Sequence, residues 1–191
     1  MPDWDGVDDV QLLKTAQNGE AEAFGVLYER HAKAIFRFLY ARLDSRSDAE
    51  DLTEEVFLRF WRSLSSYQER GIPISAYLFR VANNALVDHY RRAKHSAYNA
   101  SLDDDWKLDE RPGPAETTVI NAEHQELRQA LNQLREDYRE VLILRFLSEL
   151  SPTETASAMK RSVGAVRILQ HRALTSIRKN LANIQHKKND H

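Results

Sequence analysis

Apolar residues recur at spacings of three and four along most of this chain, which is the pattern of helices that bury one face. The 191 residues include only six glycines and five prolines, so few positions can interrupt such helices. No segment shows the strict alternation of apolar and polar residues that predicts a half-buried strand. The sequence therefore predicts an all-α protein.

The helical pattern stops in the middle of the chain. Between residues 95 and 118 acidic residues outnumber basic ones, and Pro112-Gly113-Pro114 prevents a helix from passing through. We therefore expect two small helical domains, residues 1–94 and 119–191, joined by a flexible acidic linker at 95–118.

The first domain is predicted to contain three helices. One follows Asn18-Gly19 and faces the core with a stripe that includes His31, which we interpret as a packed histidine and not as a ligand. A second helix is expected to begin at Ser47, where Ser47 and Glu50 can form a capping box. The third is expected over residues 75–92, after a break at a glycine and a proline.

The second domain contains a helix-turn-helix pattern. Ser151, Pro152 and Glu154 supply a capping serine, a proline at the first helical position and the glutamate of a capping box. After a tight turn, Ser162 can cap a longer helix, and this order of a short and a long helix is typical of a DNA-binding unit. The helices predicted in this domain cover residues 119–134, 138–147, 153–159 and 163–181.

The last of these helices carries positive charge without negative charge. The chain as a whole has 29 acidic and 27 basic residues, yet no acidic residue occurs from Thr155 to Asn189. Phosphate groups of DNA would meet no repelling side chain there, although solvated charges on an ordinary surface helix are the alternative. The side of the helix that would face the major groove offers Ala165, Arg167, Ile168, His171 and Arg172.

Two patterns in the first domain indicate further contacts. Asp48, Asp51 and Glu55 belong to a concentration of negative charge in the first turns of the second predicted helix. The helix dipole alone can account for these residues, and a protein-docking surface is the alternative. Aromatic residues such as Tyr67 and Tyr77 lie close in sequence to arginines, an arrangement that suits unstacked single-stranded bases but equally suits a core.

The composition excludes several kinds of site. Without cysteine there is no disulfide, thiolate zinc site or cysteine nucleophile. There is no glycine-rich phosphate loop, no histidine pair at metal-binding spacing and no serine nucleophile motif, so we expect neither an enzyme nor a bound cofactor or metal. The acidic start lacks the order of a signal peptide, and no apolar run is long enough to insert into a membrane, so we expect a cytoplasmic protein.

Three segments resemble, in the right order, the hallmark segments of extracytoplasmic-function sigma factors, the sigma-70 family proteins of bacterial RNA polymerase. They are SDAEDLTEEVFLRFWRSL, ISAYLFRVANNALVDHYRR and ALNQLREDYREVLILRFLSELSPTETASAMKRSVGAVRILQHRAL. The resemblance covers nearly the whole chain and implies that the protein confers promoter recognition on core RNA polymerase. It implies core RNA polymerase and promoter DNA as partners and allows for an anti-sigma factor, which no residue here identifies.

The resemblance also assigns residues to three contacts. The segment that docks on the clamp helices of the largest catalytic subunit corresponds to Asp48, Glu50, Asp51, Leu52, Glu55 and Phe57. The part that opens and reads the minus-ten element corresponds to the loop around 67–74 and the next helix, with Tyr67, Tyr77, Arg80, Asn84, Asp88 and Arg91. The reader of the minus-thirty-five element corresponds to Ser162, Ala165, Arg167, His171 and Arg172, and Ile168 lies on the same predicted face.

The nearest alternative is a dimeric helix-turn-helix transcription regulator of the response-regulator output type. Such a protein has an entry similar to LSPTE before its basic helix. Its receiver domain would require alternating strands and helices, and the first half of this chain has no such pattern. Within the family, VRILQHRAL stands where VKSRLHRAR is more frequent, so we expect an unusual promoter sequence.

Overall fold

A computed structural model describes residues 4, 6–43, 45–68, 71–100 and 118–189, with the backbone alone for 95–100, 118–124 and 187–189. The regular elements of this part of the chain are all helical, as the sequence predicts. The chain divides into two compact units, residues 1–108 and 109–191. The first unit contains α1 (Asp9–Gln17), α2 (Ala21–Tyr40), α3 (Arg46–Ser63), a 3-10 turn (Leu64–Ser66) and α4 (Ile74–Ala100). The second contains α5 (Thr118–Asn132), α6 (Glu136–Leu142), a π-helical turn (Ile143–Leu147), α7 (Pro152–Met159) and α8 (Val163–Asn189).

The core of the first unit lies among α1, α2, α3 and α4. Leu27 and Ile35 of α2 are fully buried, together with Leu12 of α1, Phe60 of α3 and Leu78 of α4. Each side chain of this size stabilises the fold by roughly 1.5–3 kcal/mol when it leaves water. This burial holds the outer faces of α3 and α4 in a fixed position.

An ionic contact attaches the start of α1 to α2. Asp9 lies 3.0 Å from an Arg30 nitrogen and 2.7 Å from His31 Nε2, and Arg30 also donates to the Val7 carbonyl at 2.7 Å. The His31 side chain is only 16% exposed. The interpretation of His31 as a packed histidine is therefore confirmed, and α1, which the sequence analysis did not predict, supplies its partner.

The pH dependence of stability tests this contact. The pKa of Asp9 lies below its ordinary value of 3.8, chiefly because His31 hydrogen-bonds its carboxylate and also because Arg30 does. A lowered pKa in the folded state stabilises the protein above pH 3.8, and this contribution is lost as the pH falls through the folded pKa. We expect Asp9→Asn to lower the free energy of unfolding at pH 7 by about 1 kcal/mol, a figure reduced for partial exposure.

Urea unfolding followed by tryptophan fluorescence measures this difference. It should shrink as the pH is lowered below 3.8, whereas Glu22→Gln on the exposed start of α2 should have little effect at any pH. The same loss of stability in Asp9→Asn at pH 7 and pH 3 would contradict an ionic role for Asp9.

The predicted capping box at Ser47 is wrong. The α3 helix begins earlier, at Arg46, and Ser45 caps it, with its hydroxyl accepting from the Asp48 amide at 3.2 Å. Ser45 has the extended backbone that a capping residue requires, with φ −108° and ψ 130°. Glu50 pairs with Arg46 at 2.9 Å across one helical turn and does not return to the helix start.

Two predicted helix ends are also wrong. The α4 helix continues to Ala100, past the predicted end at residue 92 and past the start of the segment predicted as a linker. The α8 helix continues to Asn189, beyond the predicted end at residue 181. Neither extension contains a glycine or proline, so nothing in the backbone stops the helix. Residues 101–117, the rest of the predicted linker, lie outside the described residues.

The predicted helix-turn-helix is confirmed. The capping box of α7 forms in both directions, with Ser151 Oγ accepting from the Glu154 amide and a Glu154 carboxylate oxygen accepting from the Ser151 amide. Lys160 ends α7 in the left-handed conformation, with φ 53°, and the Arg161 amide donates back to the Ala156 carbonyl at 2.9 Å. This short turn fixes the direction in which α8 leaves α7.

Candidate functional site

The N-terminal half of α8 presents an exposed face that contains cations but no acid. Ser162 caps the helix, its hydroxyl accepting from the Ala165 amide at 3.2 Å. Val166 and Ala173 are fully buried on the opposite side and anchor the helix in the core of the second unit. Ala165 is half-buried and Ile168 is 55% exposed. The remaining side chains predicted to face the groove are all exposed, namely Arg167, His171 and Arg172.

Arg145 contacts α8 through a side-chain hydrogen bond, and the sequence pattern did not identify it as a functional residue. Its Nε donates to the Gln170 side-chain oxygen at 3.1 Å, and a terminal nitrogen donates to the Leu150 carbonyl. Gln170 stands in α8 beside His171, so Arg145 links the π-helical turn to the helix that carries the exposed cations. The available signal was a single arginine that interrupts the apolar run from Val141 to Leu147.

The polar residues predicted on α3 lie on or near its surface. Glu50 and Asp51 are exposed, and Asp48 and Glu55 are half-buried. Two other members of the predicted docking set, Leu52 and Phe57, are only 4% and 3% exposed. These two side chains pack in the core, where they hold the helix in place.

Two large apolar residues extend the exposed side of α3. Leu58 is 53% exposed and Trp61 is 43% exposed, one and two turns after the exposed Glu54. The Trp61 ring packs edge-on against Phe24 at 4.7 Å between centroids. Sequence reasoning missed both residues, although their positions fall outside the buried stripe of the helix and could have identified them.

An ionic network joins α3 to α4. Arg59 lies 2.6 Å from Glu55 and 3.3 Å from Asp88, while Arg91 contacts the other oxygen of Asp88 at 2.7 Å. The hydrogen bond that Arg59 donates to Glu55, with a smaller contribution from the one it donates to Asp88, raises the pKa of Arg59 above its ordinary value. The Arg59 guanidinium therefore binds Glu55 of the predicted docking helix and Asp88 of the helix predicted to read DNA.

The outer side of α4 carries the other residues predicted to read DNA. Arg80 is half-buried, and Asn84 and Arg91 are exposed at spacings that place them along one side of the helix. Val87, between them, is 57% exposed, which is unusual for a side chain in the middle of an otherwise well-packed helix.

Tyr67 and Tyr77 lie at the edge of the core of the first unit. Their rings contact each other edge-on with 4.8 Å between centroids, and both rings also pack against Phe60. The Tyr77 hydroxyl lies 3.1 Å from Ser63 Oγ. Both tyrosines are half-buried, so each contributes to the core and keeps part of its ring accessible.

The fold and these surfaces together define a transcription protein with a helix-turn-helix unit and a separate unit that offers an acidic helix. Among the described helices none is long and apolar enough to cross a membrane. The family Sigma-70 region 2 matches residues 27–96, and the family Sigma-70, region 4 matches residues 124–177. The chain belongs to the extracytoplasmic-function (ECF) group of RNA polymerase sigma factors in the sigma-70 family, and it directs transcription initiation.

Individual relatives support this assignment. The ECF RNA polymerase sigma factor BldN of Streptomyces coelicolor is 33% identical over 92% of this chain, which spans 66% of the length of that protein. The ECF RNA polymerase sigma factor ShbA of Streptomyces griseus is 31% identical over 87% of this chain and 92% of its own length. The structure of CnrH in complex with the cytosolic domain of CnrY is 25% identical, with a TM-score of 0.66 over 92% of this chain and 97% of that one. These matches do not favour the dimeric response-regulator alternative.

Proposed function

We propose that the two units divide promoter recognition between them. The first unit, assigned to residues 1–94, docks on core RNA polymerase and reads the minus-ten element. The second, assigned to residues 119–191, reads the minus-thirty-five element, and residues 95–118 link the two. The observation that carries this proposal is the separation of charge between the acidic exposed side of α3 and the acid-free N-terminal half of α8.

The docking surface is assigned to α3. The polar residues Asp48, Glu50, Asp51 and Glu55 offer negative charge to a basic partner surface, and the buried Leu52 and Phe57 hold the helix that carries them. Complementary charge across an interface speeds association and selects the partner. The exposed apolar side chains of Leu58 and Trp61 add contact area at the same side of the helix.

The minus-ten element is assigned to the ring pair of Tyr67 and Tyr77 and to the outer side of α4. Accessible aromatic rings can stack against bases that have left the duplex, at a gain of about 1–3 kcal/mol per base. The polar side chains that would accompany such bases along α4 are Arg80, Asn84, Asp88 and Arg91.

The minus-thirty-five element is assigned to the exposed side of α8. Ser162, Ala165, Arg167, Ile168, His171 and Arg172 form the proposed groove-facing set. If about four cations reach phosphates, the logarithm of affinity should fall with the logarithm of salt concentration with a slope of about −3.6. A contact of this size is too weak for one unit to find a promoter alone, so polymerase must supply the remaining contacts.

The remaining assignments concern partners and location. The protein performs no chemistry itself and acts in the cytoplasm together with polymerase, without a cofactor. CnrH has been solved with the cytosolic domain of CnrY bound to it. By analogy, an anti-sigma factor that covers one of these surfaces is the further partner that we propose.

Transcription from purified components tests the proposal. Core RNA polymerase with this protein should initiate from a limited set of genomic promoters, and sequencing of the transcripts should reveal two common upstream motifs. Core polymerase alone is the control. Specific binding of the free protein to promoter duplex, without any effect on polymerase, would contradict the proposal and favour a conventional regulator.

A further inference from the structure

The α1 helix precedes residues 27–96, the part of the chain that matches Sigma-70 region 2. Its last residue, Gln17, reaches from there to the far end of α3. The Gln17 side-chain nitrogen donates to the Leu64 carbonyl at 2.9 Å and to the Tyr67 carbonyl at 2.8 Å. These contacts join parts of the chain that are 47 and 50 residues apart.

The chemistry of this contact fixes the orientation of the amide. Both partners of Gln17 are carbonyl oxygens, which accept and cannot donate, so the NH₂ group must face them and both of its hydrogens are used. The two bonds bracket the 3-10 turn at Leu64–Ser66, after which the backbone becomes extended at Tyr67, with φ −67° and ψ 124°. Gln17 therefore hydrogen-bonds to the backbone on both sides of the position where the helical conformation ends.

The Gln17 amide extends from a well-packed helix. Leu12, Leu13 and Ala16 of α1 are 0%, 2% and 3% exposed, and the ionic contact of Asp9 attaches the other end of the helix to α2. The buried face of α1 therefore fixes the position from which the Gln17 side chain reaches Leu64 and Tyr67. A contact that is already ordered before binding lowers the entropic cost of binding.

The residue that Gln17 holds carries one of the two proposed stacking rings. The Tyr67 backbone carbonyl accepts from Gln17, while its ring packs against Tyr77 and Phe60. Tyr77 is in turn placed by the contact of its hydroxyl with Ser63. The position of the ring pair therefore depends on α1 as well as on α3 and α4.

We propose that Gln17 is a positioning residue for promoter opening, which presets the ring pair of Tyr67 and Tyr77 to capture a base that leaves the duplex. This inference rests on the proposed role of the ring pair at the minus-ten element. A base is unstacked only briefly in a closed duplex, so a ring pair already in place captures it more often than one that must first be ordered.

The test replaces Gln17 with methionine, which keeps the length of the side chain and removes both donors. The loss of both hydrogen bonds, partly compensated by water, predicts roughly tenfold slower open-complex formation by the holoenzyme on duplex promoter. On a template already unpaired across the minus-ten element, most of the lost rate should return, because captured bases need not wait for unstacking. Affinity for core polymerase should not change.

Matched variants sharpen the result. Gln11→Met changes an exposed glutamine on the same helix and should open promoters at the wild-type rate. Gln17→Glu should be slower than Gln17→Met, because it places a carboxylate against two carbonyl oxygens. A Gln17→Met defect of equal size on duplex and unpaired templates, accompanied by a lower melting temperature, would show a merely structural role and overturn the inference.

Tyr67→Leu separates this inference from the function on which it rests. Slow opening by Tyr67→Leu together with normal opening by Gln17→Met would overturn the role of Gln17 and leave the ring pair as the minus-ten reader. Normal opening by Tyr67→Leu itself would overturn the proposed function of the ring pair, and the inference would fail with it.

Discussion

Reversing the charge of Asp51 and Glu54 together, as Asp51→Lys with Glu54→Lys, is expected to lower the affinity for core RNA polymerase about 100-fold, or roughly 3 kcal/mol. Both side chains are exposed on α3 and form no salt bridge with another described residue. Like charges across an interface repel, and the reversed pair would also lose its attraction to a basic partner. Competition for core polymerase against labelled wild-type protein measures the change.

Asp51 and Glu54 are the residues to reverse because they lie outside the ionic network around Arg59. Reversal of Glu55 would also break the contacts of Arg59 with Glu55 and Asp88, so a loss of docking could not be separated from a disturbed α3–α4 packing. Asp51 and Glu54 avoid this problem. Circular dichroism and thermal melting should show that their reversal leaves the helical content intact, because exposed charges contribute little to stability.

Glu29→Lys is the control for a charge reversal away from α3. Glu29 is exposed in the middle of α2, and its reversal changes the net charge without touching α3. The single variant should retain wild-type affinity. If the double variant on α3 also binds core polymerase normally, the acidic turns of α3 reflect only the preference of a helix N-terminus for negative charge.

Local signals predicted the second unit better than the first. The caps at Ser151 and Ser162 depend on residues within one helical turn, and each predicted cap forms. Their spacing sets the helix-turn-helix, which was therefore readable from the sequence. The capping box at Ser47 failed because Ser45, two positions earlier, offers an equally good hydroxyl and incorporates Arg46 into the helix.

The candidate site depends on contacts that no local pattern contains. Arg59 meets Asp88 across 29 positions, and Gln17 meets Tyr67 across 50, so neither pairing could be predicted without the fold. Leu52 and Phe57, which the resemblance assigned to docking, are buried in the core of the first unit. Their side chains therefore act by packing, and they support the proposed docking helix without being available to touch a partner.

The second large effect is expected on the acid-free side of α8, where Arg167→Ala should lower the affinity for promoter DNA. Arg167 is exposed one turn after the Ser162 cap, in the part of a recognition helix that enters the major groove most deeply, and it stands beside the exposed Ile168. We expect the holoenzyme to lose about 1–3 kcal/mol, roughly 5- to 150-fold in affinity, on its preferred promoter. On a promoter with a scrambled minus-thirty-five element the loss should be much smaller.

Arg172→Ala should give a different pattern. Arg172 lies about 7.5 Å farther along the helix axis than Arg167, toward the edge of the groove, where a cation meets phosphate. Its loss should weaken binding to both promoters alike and flatten the salt slope by about one unit, from about −3.6 toward −2.7. Lys179→Ala, exposed still farther along α8, is the matched control and should leave slope and specificity unchanged.

An unchanged slope in Arg172→Ala would remove Arg172 from the phosphate contacts. Equal losses in Arg167→Ala on both promoters would make Arg167 a phosphate contact as well. The two arginines thus separate sequence reading from charge attraction on a single helix face.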